Sequence, residues 1–178
     1  MVDLAEIQAA YYMVAATGVL VAAVFYILNL RETTRNRRVA LTQNLIQTLN
    51  SMESIKAQGE LMNMEWKNYE DFEKKYGSDN NLDNYSKRFF FFYNLEAIGQ
   101  LLRDGLADAD TLYGVIWNTT LSVWHKFLPT IEENRRRYSG KDAWSGFEYL
   151  VDEMMRIKKQ RDPNYVLPLE FTKYIPDK

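Results

Sequence analysis

The hydrophobic pattern divides the chain into two unlike parts. From Ile7 to Leu30 no charged residue occurs. A helix over that run reaches roughly 36 Å at 1.5 Å per residue, and a bilayer core of about 30 Å takes about 20 residues to cross. The run therefore predicts a transmembrane helix with some tilt. Its polar members are Gln8, Thr17 and Asn29, and Tyr11, Tyr12 and Tyr26 sit towards its ends, where amphipathic rings favour the headgroup region.

After Leu30 the pattern turns amphipathic. No Pro or Gly interrupts residues 31–58, and Val39, Leu45/Ile46, Leu49 and Met52 follow a helical period, at spacings of seven, then three and four. The spacing predicts that the span continues as one long helix to about Gln58, with a bend at Gly59. Met62, Trp66, Tyr69 and Phe72 predict a second stretch from Glu60 to about Tyr76, and the turn formers of residues 77–84 predict an exposed loop. Phe89 to Tyr93 is a run of five aromatics, and Phe91, Leu95, Ile98 and Leu102 continue it as a helical stripe. Apolar on more than one face, this third helix is expected at the centre of a bundle. Gly105 is placed to stop it in a left-handed conformation, with Leu106 folding back on Leu101. Asp108 is expected to cap a fourth helix from Ala109 to about Tyr138, kinked or broken near His125 to Leu128 by Pro129. Ala143, Phe147, Leu150/Val151, Met154 and Ile157 mark a fifth helix, from about Asp142 to Arg161, ended by Asp162-Pro163. The tail from Asn164 to Lys178 alternates apolar with polar residues and is expected to dock in extended form.

These elements make the fold class all-α: a single N-terminal transmembrane helix continuing into a cytoplasmic bundle of about four to five helices. The divisions are an anchor over 1–30, a juxtamembrane helix over 31–58, a helical domain over 59–162 and an extended apolar tail over 163–178. Arg31, Arg35, Arg37 and Arg38 follow the span, while Asp3 and Glu6 precede it without a Lys or Arg. The positive-inside rule then puts the N-terminus outside and the C-terminal domain in the cytoplasm of a cell-membrane protein. The acidic start also argues against a cleaved signal peptide, whose first segment is basic. The four arginines are candidates for the membrane surface. Ala15, Gly18 and Ala22 fall on one side of the span, where small residues let helices approach, and form a candidate packing face for a homo-oligomer.

Composition narrows the chemistry. The 178 residues include one His and no Cys, which leaves no thiolate, no disulfide and little for a metal centre. A net charge of −2 gives no general reason to expect nucleic acid as a partner. The mean hydropathy of −0.40 is that of a soluble protein only because it averages the span with a polar remainder. No Gly-rich phosphate loop, HExxH or GxSxG occurs. Asp108 and Asp110 read as capping residues rather than metal ligands, and Asn118-Thr119-Thr120 is a glycosylation pattern in the wrong context. Glu96, the carboxylate within the most apolar helix, is the candidate buried polar site. It must be paired, hydrogen-bonded or protonated, and its simplest role is structural, beside an Arg or a Tyr.

Asn94-Leu95-Glu96-Ala97-Ile98-Gly99, Gly105-Leu106-Ala107-Asp108, Trp124, Leu128-Pro129 and Phe147-Glu148-Tyr149-Leu150 together resemble a prokaryotic family of uncharacterised proteins, domain of unknown function 4760. The resemblance runs from the span to Arg161. It implies one N-terminal transmembrane helix and a small helical cytoplasmic domain, and it carries no activity or catalytic residues. The resulting expectation is a non-enzymatic, membrane-anchored scaffold or accessory protein. Its partners would be the lipid bilayer and further copies of itself or subunits of a membrane complex. Neither a cofactor nor a small-molecule substrate is implied. A membrane-tethered sensor or ligand-binding domain with an aromatic pocket is the alternative. An oligomeric channel or transport-complex subunit is a further one, although Thr17 is the only mid-span polar residue to line a path.

Overall fold

A computed structural model describes residues 3–168, in which six α-helices and one π-helical turn occur and no strand. The chain divides into two compact units, residues 1–40 and residues 41–178. The first unit belongs to α1 (Leu4–Leu49), and each of its described side chains is exposed within the chain. This helix is long and apolar enough to cross a membrane. Asp3 starts it, its carboxylate accepting the Ala5 amide at 3.2 Å. The Thr17 hydroxyl donates to the Met13 carbonyl at 2.8 Å, so the polar group in the middle of the apolar run is satisfied within its own helix.

In the second unit α1 ends at Leu49 rather than near Gln58, and α2 (Met52–Asn63) follows. The break is built by two serines. Ser51 accepts the Ser54 amide at 3.1 Å, and the Ser54 hydroxyl donates to the Thr48 carbonyl at 2.9 Å. Each thus supplies a partner that a helix end lacks. Gly59 lies inside α2, so the expected bend is absent there. The expected stretch from Glu60 to Tyr76 is likewise two pieces: α2 ends at Asn63, and α3 (Tyr69–Tyr76) begins after Asn68, whose side chain accepts the Asp71 amide at 2.9 Å.

The long helices are α4 (Leu82–Arg103), α5 (Ala109–Asn134) and α6 (Ser145–Arg161). Gly105 is left-handed (φ 67°), with the Leu106 amide on the Leu101 carbonyl at 2.8 Å and the Gly105 amide on that of Leu102 at 3.0 Å. That is the expected Schellman stop. Asp108 caps α5 by accepting the Thr111 amide at 2.7 Å. Pro129 does not break α5; the helix runs through it, and the Thr130 hydroxyl donates to the Phe127 carbonyl beside the missing donor. The end of this stretch differs from expectation. Arg135–Ser139 forms a π turn closed by the Gly140 amide on the Arg135 carbonyl at 3.0 Å.

Phe91, Leu95 and Ile98 of α4, Leu112, Ile116 and Phe127 of α5, and Phe147, Leu150 and Met154 of α6 are buried together. Each such side chain contributes about 1.5–3 kcal/mol. The aromatic run of α4 is not buried all round: Phe91 and Phe92 face the core, while Phe90 and Tyr93 are exposed. Helices α4 and α6 touch backbone to backbone, since a Cβ on Gly99 would lie 1.8 Å from the Gly146 carbonyl oxygen. Of the tail, Tyr165 and Leu167 pack against this core, and Tyr165 meets Trp117 edge-on at 6.1 Å. The remaining tail positions, Phe171, Tyr174 and Ile175, lie outside the described residues.

Candidate functional site

The closeness of Gly99 and Gly146 sets the first feature of the site. It brings Glu96, one turn before Gly99, under the start of α6. Glu96 Oε2 accepts the Phe147 amide at 2.8 Å, and Oε1 accepts the Gly146 amide at 3.0 Å and the Gln100 side chain at 3.0 Å. Trp144, at the N-cap position of α6, offers no side-chain cap. A carboxylate from α4 therefore does for α6 what its own cap does not, and its negative charge meets the positive end of the helix dipole. The partner of Glu96 is thus two backbone amides and a glutamine, not an Arg or a Tyr.

Beside Glu96 opens a cleft of ≈ 630 Å³. Helix α3 supplies Tyr69, Phe72 and Glu73; α4 supplies Tyr85, Arg88, Phe89 and Tyr93; Tyr138 and Trp144 close the far wall. Trp144 has φ 63° and ψ 28°, a left-handed conformation rare for a bulky residue. Holding it costs about 1–3 kcal/mol. Its indole is held by Tyr93 at 5.1 Å, Phe89 at 5.5 Å and Phe92 at 5.5 Å between ring centroids. The turn before it is tied down by Arg135, whose Nε donates to the Ala143 carbonyl and whose Nη2 pairs with Glu148, both at 2.8 Å. Burial, the largest influence on it, raises the Tyr69 hydroxyl above its usual range.

Arg88 is the cation in this wall, and it is 4 % exposed. Its guanidinium carbon lies 4.5 Å from the Phe72 ring centroid, 5.5 Å from that of Tyr85 and 5.9 Å from that of Phe89. Nη2 donates to the Tyr76 carbonyl at 3.2 Å, whereas Nη1 is buried without an acceptor. Burial pushes Arg88 down to about 10, partly offset by the negative field of Glu73. It stays cationic at neutral pH.

The sequence-derived residues fall in different units. Arg31, Arg35, Arg37 and Arg38 are exposed on α1 in the first unit, as are Ala15, Gly18 and Ala22. Glu96 stands in the second unit at the cleft. The one His lies outside it: His125 Nδ1 sits 2.7 Å from the Leu121 carbonyl oxygen. In the basic run of residues 135–137, Arg136 and Arg137 pair with Glu133, and Arg137 also with Glu70 of α3. Among the described residues no group of three or more His, Asp or Glu gathers as a metal-ligand set would. Arg88 and Trp144 were missed as site residues. Arg88 stands three, four and seven positions before Phe91, Phe92 and Leu95, so a lone cation on an apolar stripe was the signal available. Lys126 was missed for the same reason; it is buried in α5 and donates to the Met62 carbonyl in the last turn of α2.

No curated protein and no solved structure matches the chain. A family model matches over residues 13–154, which takes in most of α1, the cleft, all of α4 and α5 and the first part of α6. The chain belongs to that family, described as domain of unknown function DUF4760.

Proposed function

We propose that this protein is a membrane-anchored, non-enzymatic ligand-binding module. Residues 7–30 hold it in the bilayer with the N-terminus outside, and the helical domain presents its cleft to the cytoplasm. The observation that carries this reading is the cleft itself, whose volume and aromatic walls suit a small molecule. The strained Trp144 in its wall supports it, because costly backbone conformations gather at ligand clamps. Binding is favoured over catalysis because both oxygens of Glu96 are already engaged by Gly146, Phe147 and Gln100. Arg31, Arg35, Arg37 and Arg38 at the inner end of the span support the orientation. Native mass spectrometry of the full chain, taken from its own membrane in mild detergent, tests the binding function. A small-molecule mass lost on denaturation is the expected result, and the bare chain alone counts against it.

A second reading is a scaffold or accessory subunit that self-associates. It is favoured by the bare face of Ala15, Gly18 and Ala22, where a Cβ on Gly18 would meet nothing within 4 Å. The chain has no Cys, so Gly18→Cys introduces a unique thiol. A disulfide-linked dimer in oxidised membranes supports self-association through this face, and monomer alone refutes it.

A further inference from the structure

The ligand class follows from what surrounds Arg88. A guanidinium has five N–H donors in a planar fork. Here Nη2 has the Tyr76 carbonyl, Nη1 has no acceptor, and no ion pair to Arg88 occurs among the described residues. Aromatic rings lie against the group at 4.5, 5.5 and 5.9 Å, so they satisfy its charge in part but offer no lone pair in its plane. A buried cation held in this way has an unfilled preference for an anion that meets its edge with two oxygens. Burial depresses its proton affinity but leaves it charged near pH 7, so the preference is present under working conditions.

The rest of the cleft describes the body of that ligand. Tyr85, Phe89, Tyr93, Tyr138 and Trp144 offer flat apolar walls. Glu73 lines the same space and carries negative charge, which disfavours a dianion and selects a single carboxylate over a phosphate. We propose that the cleft binds a small aromatic monocarboxylate, its ring among the tyrosines and Trp144 and its carboxylate on the free edge of Arg88. This rests on the ligand-binding reading above and gives it a chemistry.

The test uses the full chain in detergent micelles with phenylacetate, its neutral analogue phenylacetamide, phenyl phosphate and acetate as probes. Binding is read from tryptophan fluorescence and from the thermal midpoint. Phenylacetate is expected to bind saturably, about tenfold or more tightly than the amide, as a charge-assisted contact implies. Acetate, lacking the ring, is expected to bind weakly. In Arg88→Met the preference for the anion falls to about one, while the unliganded midpoint holds or rises because an apolar side chain replaces a buried charge. Arg88→Lys keeps the charge without the fork and is expected to lose most of the preference while remaining folded. Equal binding of phenylacetate and the amide overturns the anion assignment and leaves the ligand-binding reading intact. Tighter binding of phenyl phosphate than phenylacetate overturns the choice of a carboxylate. If none of the probes binds, the aromatic monocarboxylate assignment falls, while the native mass spectrum decides the ligand-binding reading on its own. If Arg88→Met lowers the unliganded midpoint sharply and Arg88→Lys restores it, Arg88 is a structural cation and the proposal is wrong.

Discussion

A carboxylate that accepts two backbone amides and a side-chain amide is hard to replace. Removing Glu96 leaves the Gly146 and Phe147 N–H groups of α6 without their acceptor. Glu96→Ala is expected to lower stability by about 2–3 kcal/mol, and Glu96→Gln by about 1–2, because an amide keeps one acceptor of the two. Urea unfolding measures both; equal, near-zero losses would contradict the role given to Glu96. A second prediction concerns acid. Hydrogen bonds from Arg136 and then Arg137 pull Glu133 down from 4.5 to about 2. Its folded-state value is depressed, so its contribution is present above pH 4.5 and is lost as pH falls towards about 2. The carboxylate is partly exposed and Arg136 lies at the surface, so the effect is modest and screened by salt. Wild type is expected to exceed Glu133→Gln in stability at pH 7, with the difference shrinking through that window. A constant difference down to pH 2 would rule this out. At this scale Asp108 and Gly105 were legible in the sequence because caps and stops are local. Glu96 was legible as a site but its partners were not, because α6 supplies them; Arg88 was not legible at all, because its role depends on what α3 brings to it.

At the scale of elements, periodicity located the helices but not all of their ends. The apolar stripes of α4 and α6 predicted core residues that are found buried, such as Leu95 and Met154. The break at Ser51 escaped notice because serines are tolerated within helices, and only the reciprocal bonds with Ser54 and Thr48 make them an end. Gly59 looked like a bend because a glycine in an exposed helix weakens it by about 1 kcal/mol, which the packing of Ala57 and Leu61 overrides. Gly99 is the opposite case. Helical propensity counts it as a small cost, yet it is where α4 and α6 meet. Gly99→Ala puts a methyl on the Gly146 carbonyl and is expected to destabilise the domain by more than about 3 kcal/mol. Gly59→Ala, with open space around it, is expected to be neutral or stabilising by up to about 1 kcal/mol. Thermal denaturation of the pair checks the contrast, and similar midpoints would refute it.

For the whole molecule, the division into an apolar run and a polar remainder was the most legible property, since it rests on charge placement alone. The proposed orientation has a direct readout because any introduced thiol is unique. A membrane-impermeant maleimide is expected to label Asp3→Cys in intact cells, and Ser78→Cys only after permeabilisation. The reverse pattern would invert the topology. An aromatic pocket was foreseeable only as an alternative, and its place was not legible, because it is assembled from α3, α4, the π turn and the loop before α6, residues spread from Tyr69 to Trp144.

The capping of one helix by another also sets an order of events. An isolated α6 has nothing to hold its first amides, and α2 has its last-turn Met62 carbonyl held by Lys126 of α5. Neither end can be completed before its partner helix arrives, so these ends close with the domain rather than ahead of it. In hydrogen–deuterium exchange the Gly146 and Phe147 amides, though at a helix start where fraying is the rule, are expected to exchange as slowly as the middle of α4. They would then act as a clock for the opening of the whole bundle.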